Sequence, residues 1–144
     1  MRAIRNRVSR EDGVAAVDFA LILPVLALLL FGTLEFGRVW SQYQIYQGAA
    51  REGARCAAVK IDSTCSIQGA INQAAQPFTP SQNATIKLVG GGALPNGCTE
   101  QTVGQDVQAS WNQQLNVNIP FWNDVTLTPT VKAVFRCEGS GGGV

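Results

Sequence analysis

Hydrophobic positions are spread unevenly along this chain. The first 13 residues, MRAIRNRVSREDG, are polar and basic, whereas residues 14–34 are apolar apart from Asp18. As a helix, this apolar run would be about 31 Å long, which matches the roughly 30 Å hydrocarbon core of a bilayer. The pattern predicts a transmembrane helix over residues 14–34. The Arg-rich segment 1–13 is expected on the cytoplasmic side, and everything after the span is expected to be exported.

The helical period continues beyond the span. Apolar residues recur every three or four positions over residues 35–60 and predict one apolar helix face: Phe36, Val39, Trp40, Tyr43, Tyr46, Ala50, Ala54 and Ala57. Trp40 and Tyr43 lie where interfacial aromatic residues collect, and Arg38 is expected to reach lipid phosphates. Small residues at 48–50, 53 and 54 predict close packing, against either the chain's own sheet or a neighbouring helix.

After residue 80, apolar residues alternate with polar ones, with a period of two residues instead of three to four. A short helix is predicted near 66–75, with a Pro-bounded break at 76–80 and strands over 85–89, 103–111, 114–119 and 125–135. In the third of these strands Leu115, Val117 and Ile119 are expected to share one face. In the last strand the residues expected to face inwards are Val125, Leu127, Val131, Ala133 and Phe135. Pro129 is expected at an edge position or a bulge.

These elements predict an α+β fold, with a long N-terminal transmembrane and amphipathic helix followed by a small antiparallel β-sheet domain. The exported domain is predicted over residues 61–138, with a flexible Ser/Gly-rich tail at 139–144.

Composition narrows the possible functions. The net charge is +1, which excludes a nucleic-acid binder driven by bulk charge. The chain has no His, and it shows no metal cluster, carboxylate pair or nucleophile motif. The sequence therefore predicts no enzyme, no cofactor and no metal.

Gly13 and Asp18 do not fit a simple membrane anchor. Gly13 stands where the basic segment meets the apolar run, and Asp18 is the fifth residue after it. A carboxylate in a membrane helix costs about 2.5–3.5 kcal/mol on insertion scales, so a compensating partner is expected. Three alternatives remain open: a cleaved secretory signal, a plain signal anchor, and an interfacial Asp18 that is merely tolerated.

These residues resemble a known family. The run from Gly13 through Val14 and Asp18 to Phe19 is similar to the processing motif of type IV prepilins. The longer stretch, with Phe31-Gly32 and Glu35-Phe36-Gly37, resembles TadE-like pseudopilins of the tight-adherence (Flp/Tad) pilus. Residues 48–58 and the terminal Arg136-Cys137-Glu138 are also similar to that family. Asp18 stands where Glu is commoner.

The resemblance implies a structural minor pilin or pseudopilin that takes part in assembly, initiation or tip formation of the adhesion pilus. A prepilin peptidase is expected to cut it between Gly13 and Val14. The new amine of Val14 would then pair with Asp18 of a neighbouring subunit. The implied partners are the peptidase, other major and minor pilins, an inner-membrane assembly platform with its ATPase, and membrane lipid. The implied location is the bacterial inner membrane, with the N-terminus cytoplasmic and the C-terminal domain periplasmic, and the extracellular pilus after assembly.

Pro24 lies inside the apolar run and predicts a kink, because proline removes one helical hydrogen bond. The kink serves subunit packing or is simply tolerated.

The four cysteines allow three pairings. Since Cys65 follows Cys56 closely, and Cys98 and Cys137 flank the predicted sheet, the pairs 56–65 and 98–137 are favoured over the other pairings and over free thiols.

A second function class stays open at this point. An uncleaved, membrane-anchored envelope protein that binds a partner through its exported sheet would share the same anchor and the same sheet.

Overall fold

The computed structural model describes residues 5–59, 65–118 and 123–138. The first residues of the predicted exported domain, 61–64, the predicted face of Ile119 and the predicted tail at 139–144 lie outside these residues. One helix, α1, runs without interruption from Arg5 to Ala58 over 54 residues, which corresponds to about 81 Å. The two helical segments predicted at 14–34 and 35–60 are therefore parts of one helix, and it continues through Pro24.

A second helix, α2 (Ile67–Ala74), packs against the C-terminal part of α1. The Ser66 hydroxyl caps it by accepting a hydrogen bond from the Gly69 N–H at 3.3 Å. Ile71 is fully buried, and a β-carbon added at Gly53 of α1 would lie 2.4 Å from its Cγ1. The small residues of α1 thus pack within the chain. Ala49, Ala50, Gly53 and Ala54 are buried, while Gly48 is exposed.

The main sheet has three antiparallel strands in the order β1–β2–β5: β1 (Thr85–Leu88), β2 (Asp106–Asn112) and β5 (Thr130–Arg136). Strand β2 is central, with Ala109 opposite both Ile86 and Ala133. Helix α1 packs on β2 and β5. The core between them is built from small helix residues and larger strand residues, including Ala50, Ala54, Val107, Trp111 and Val131.

A smaller two-stranded sheet pairs β3 (Leu115–Val117) with β4 (Val125–Leu127). Leu115 lies opposite Leu127, and Val117 lies opposite Val125. Only β3 among these two strands has appreciable contact with α1. We call these two strands the β3–β4 hairpin.

The expected single strand over residues 125–135 was wrong. The chain divides at Thr128 and Pro129, and the two halves join different sheets. Pro129 has no N–H for a ladder, while its carbonyl accepts a hydrogen bond from the Gln113 N–H at 2.9 Å. Val125 and Leu127 leave the core with β4 and are 42% and 47% exposed, and Phe135 at the end of β5 is 37% exposed. Val131 is buried and Ala133 half-buried, as predicted.

The expected strand over residues 103–111 begins later than predicted. Residues Glu100–Thr102 form a short 3₁₀ helix, and β2 starts only at Asp106. At the start of this 3₁₀ helix the Thr99 N–H donates to the Thr102 hydroxyl at 2.8 Å, so local side-chain bonding competes with the strand.

The end of α1 is held by the sheet domain. The carbonyls of Ala57 and Ala58 accept hydrogen bonds from the N–H groups of Cys98 at 2.9 Å and Glu138 at 3.2 Å. These are among the carbonyls that a helix leaves unpaired at its C-terminus. The same region carries the two favoured cysteine pairs, Cys56–Cys65 and Cys98–Cys137, with Cα–Cα distances of 6.0 and 5.7 Å.

Candidate functional site

The sequence-predicted processing motif lies on the uncovered part of α1. Gly13, Val14, Asp18 and Phe19 are all exposed, with Val14 72% and Phe19 62% accessible. A β-carbon at Gly13 would meet nothing within 4 Å. From Gly13 onward α1 is long and apolar enough to cross a membrane, and no part of its most apolar stretch is covered by the rest of the described chain.

Val14 and Asp18 are four residues apart and lie on the same face of α1, about 6 Å apart along the axis. Asp18 forms no hydrogen bond or ion pair with other described residues. A carboxylate placed in this way can accept a hydrogen bond from a donor outside the chain.

The sequence pattern did not reveal a second polar cluster, at the level where the apolar run ends. The Glu35 carboxylate accepts hydrogen bonds from the Arg38 guanidinium, one of them at 2.9 Å, and from the Asn118 N–H at 2.8 Å. The Arg38 guanidinium also donates to the Asn116 carbonyl at 2.8 Å. We call these four residues the helix–hairpin clasp, because they join α1 to the β3–β4 hairpin.

The clasp shapes the electrostatics of this region. The hydrogen bond from Arg38, followed by that from the Asn118 N–H, lowers the pKa of Glu35 from 4.5 to about 2. The same carboxylate raises the pKa of Arg38. Arg38 is thus bonded within the chain, while its side chain stays 44% exposed. The i, i+3 spacing of opposite charges was visible in the sequence, but the hairpin partners were not.

Three aromatic rings continue the helix surface above the span. Phe36 and Trp40 have ring centroids 6.1 Å apart, and Trp40 and Tyr43 have centroids 6.2 Å apart. Phe36 and Trp40, which belong to the predicted apolar face, are 69% and 54% exposed. On the same face Val39 and Tyr43 are partly buried against the core, and full burial begins at Tyr46.

A buried glutamine fixes the start of the hairpin. Gln113 is 2% exposed, and its side chain accepts from the Trp111 indole N–H at 3.0 Å and donates to the Ser81 hydroxyl at 2.7 Å. Because these bonds satisfy a buried amide, they hold the turn between β2 and β3 in one conformation.

Within the described ranges, no group of three His, Cys, Asp or Glu residues is close enough to hold a metal ion. The clasp and the Gln113 network consist of polar contacts that join elements of the fold.

One segment of the chain matches a known protein family. Residues 13–55 match the model of the family described as TadE-like protein, which confirms the resemblance found in the sequence. The matched segment contains the processing motif, the apolar span, Glu35 and Arg38, and it ends before the sheet domain. Neither a curated protein nor a solved structure gives a significant match to the chain.

Proposed function

We propose that this chain, which is TadE-like over residues 13–55, is a minor pilin or pseudopilin of a Tad-type adhesion pilus. Its role is structural rather than catalytic. The observation that carries the proposal is that the family match includes the uncovered apolar part of α1, the part available to membrane and neighbouring subunits.

The domain organisation follows from this role. Residues 1–13 form a cytoplasmic leader, residues 14–34 the transmembrane span, and residues 35–60 the helix outside the membrane. Residues 61–138 form the periplasmic domain, followed by the tail at 139–144. The Arg residues of the leader support this orientation, since basic segments stay on the cytoplasmic side.

For processing after Gly13, the peptide bond between Gly13 and Val14 must reach the active site of the peptidase. Helix α1 starts at Arg5, so the bond between Gly13 and Val14 lies inside it. Glycine lowers helix stability by about 1 kcal/mol relative to alanine, which favours local unwinding at this bond. The absence of a side chain also lets the peptidase approach the backbone closely.

Assembly would take place in the inner membrane together with other pilins and the assembly platform. In this setting the exposed Asp18 receives the new Val14 amine of a neighbouring subunit, which offsets the cost of placing a carboxylate in the bilayer. Pro24 would supply a bend in the span.

Amino-terminal sequencing of the protein, expressed with and without its prepilin peptidase, tests the proposal. We expect a mature chain that starts at Val14 only when the peptidase is present. Gly13→Leu should leave the precursor uncut, while Gly32→Leu in the span, where an added β-carbon would also meet nothing within 4 Å, should be cut normally. A mature protein that retains residues 1–13 would instead favour the uncleaved envelope protein.

A further inference from the structure

The β3–β4 hairpin runs along α1 towards the membrane. Asn116 is bonded to Arg38, and Asn118, two residues further along the chain, is bonded to Glu35. The later hairpin residue is thus bonded to the helix residue that lies closer to the span at 14–34. The described arms of the hairpin therefore reach the level at which the apolar run ends.

An apolar groove of about 470 Å³ separates the hairpin from the helix. Its helix wall includes Leu28, Gly32 and Phe36, which are spaced four residues apart, and its hairpin wall includes Val117 and Leu127. Leu28 lies six residues before the end of the span, which is about 9 Å along the axis. One groove therefore combines residues at bilayer depth with residues of the exported domain.

Apolar side chains also lie on the outer surface beside the groove, next to the exposed Asp124. Val125 and Leu127 are 42% and 47% exposed although they belong to a strand, and Phe36 and Trp40 continue this surface on the helix. Exposed apolar surface of this kind indicates an interaction site. At this level Glu35 and Arg38 of α1 form an ion pair, so neither of these two charges is left without a counter-charge near the bilayer.

We propose that the β3–β4 hairpin is a second membrane contact of this protein and that acyl chains of the surrounding leaflet fill its groove. The proposal rests on the membrane anchoring in the proposed function. It follows from the continuity of the groove with the lipid-facing surface of the span. Lipid tails are as apolar as leucine, so lipid fills such a groove without further contacts, whereas a protein occupant needs close packing or polar bonds.

The test uses the full chain with one added cysteine, since the native cysteines are all paired. Leu127→Cys places a fluorescent label on the hairpin. Val134→Cys is the matched control on β5, because Leu127 and Val134 are both 47% exposed. Leu30→Cys, at a position that is 58% exposed, reports the span. Each protein is reconstituted at low density in phosphatidylethanolamine–phosphatidylglycerol vesicles, with or without brominated acyl chains.

We expect brominated lipid to reduce the emission of the labels at 30 and 127 and to leave that of the label at 134 unchanged. Val125→Cys gives a second position on the hairpin and should behave like Leu127→Cys. If the label at 127 behaves like that at 134 while the label at 30 is quenched, the hairpin proposal is overturned and the anchoring stands.

Two further outcomes are informative. A label at 127 that is shielded from aqueous iodide but insensitive to brominated lipid would show a protein copy in the groove and would overturn the lipid assignment. If the label at 30 also escapes quenching, the anchoring itself fails, and with it the proposed function.

Discussion

The backbone N–H of Asn118 donates a hydrogen bond of 2.8 Å to the carboxylate of Glu35, a residue 83 positions earlier in the chain. This bond connects the end of the apolar run to the β3–β4 hairpin. Arg38 bonds both Glu35 and the Asn116 carbonyl. The helix and the hairpin segment are therefore joined at two positions, Asn116 and Asn118. The clasp therefore sets the position of the hairpin along α1.

The clasp should weaken in acid. The pKa of Glu35 is about 2 in the folded chain and 4.5 without its partners, so the unfolded state binds a proton more readily. The stabilising contribution is complete above pH 4.5 and is lost as the pH falls towards 2. In detergent micelles, the protection factor of the Asn118 amide, which is the intrinsic exchange rate at each pH divided by the observed rate, should fall over this range in the wild-type protein. In Glu35→Gln this protection should already be low at pH 6 and should no longer change with pH.

Glu52→Gln is the matched control for that experiment. Glu52 faces Arg55 at 4.0 Å on the exposed side of α1 and is not a member of the clasp. Its replacement should leave Asn118 exchange unchanged. A wild-type profile that is flat between pH 6 and 2 would contradict the role assigned to Glu35.

Two glycines of α1 should respond oppositely to alanine. Alanine favours a helix by about 1 kcal/mol over glycine, and Gly48→Ala should show a gain of this order because its added β-carbon meets nothing within 4 Å. Gly53→Ala places the same atom 2.4 Å from Cγ1 of the buried Ile71. Overpacking costs about 1–3 kcal/mol, so this variant should be less stable overall. Urea unfolding in micelles measures the free energy of unfolding of both variants. Equal stabilisation by the two substitutions would mean that α2 moves aside freely.

The two disulfides should contribute unequally to stability. Cys98 and Cys137 are 39 residues apart, whereas Cys56 and Cys65 are 9 apart. Loop-closure entropy gives about 4 kcal/mol for the longer link and about 2.5 kcal/mol for the shorter one. Replacing both cysteines of the 98–137 pair by serine should lower the urea midpoint more than the same change in the 56–65 pair. The reverse order would show that the shorter link, at the end of α1, dominates.

Asp18→Ala should separate processing from assembly. The peptidase is expected to read Gly13 and the junction of basic and apolar residues, so cleavage should largely survive. Assembly should fail, since removing one half of a buried ion pair costs about 3–5 kcal/mol. Asp18→Glu should assemble well because it keeps the charge, and Asp18→Asn should be intermediate at best. Mature protein and pilus yield are measured side by side. Normal piliation by the alanine variant would leave the carboxylate without an assembly role.

The helical part of this protein is determined by local sequence. The apolar run, the period of three to four residues and the absence of a helix-terminating turn specify α1, because a helix is built from contacts within a few residues. The same locality allowed α2, β1 and the TadE-like segment to be recognised from the pattern. Since Cys65 lies close to Cys56 in sequence, that pairing was favoured as well.

The tertiary structure decided the features that depend on distant residues. The alternation over residues 125–135 is continuous, but Pro129 divides it because its carbonyl is bonded to Gln113 and it has no N–H for a ladder. Burial of Val125 and Leu127 depended on which sheet their strand joined. The partners of Glu35 and Arg38 lie in another element of the chain, and no period in the sequence encodes such a contact.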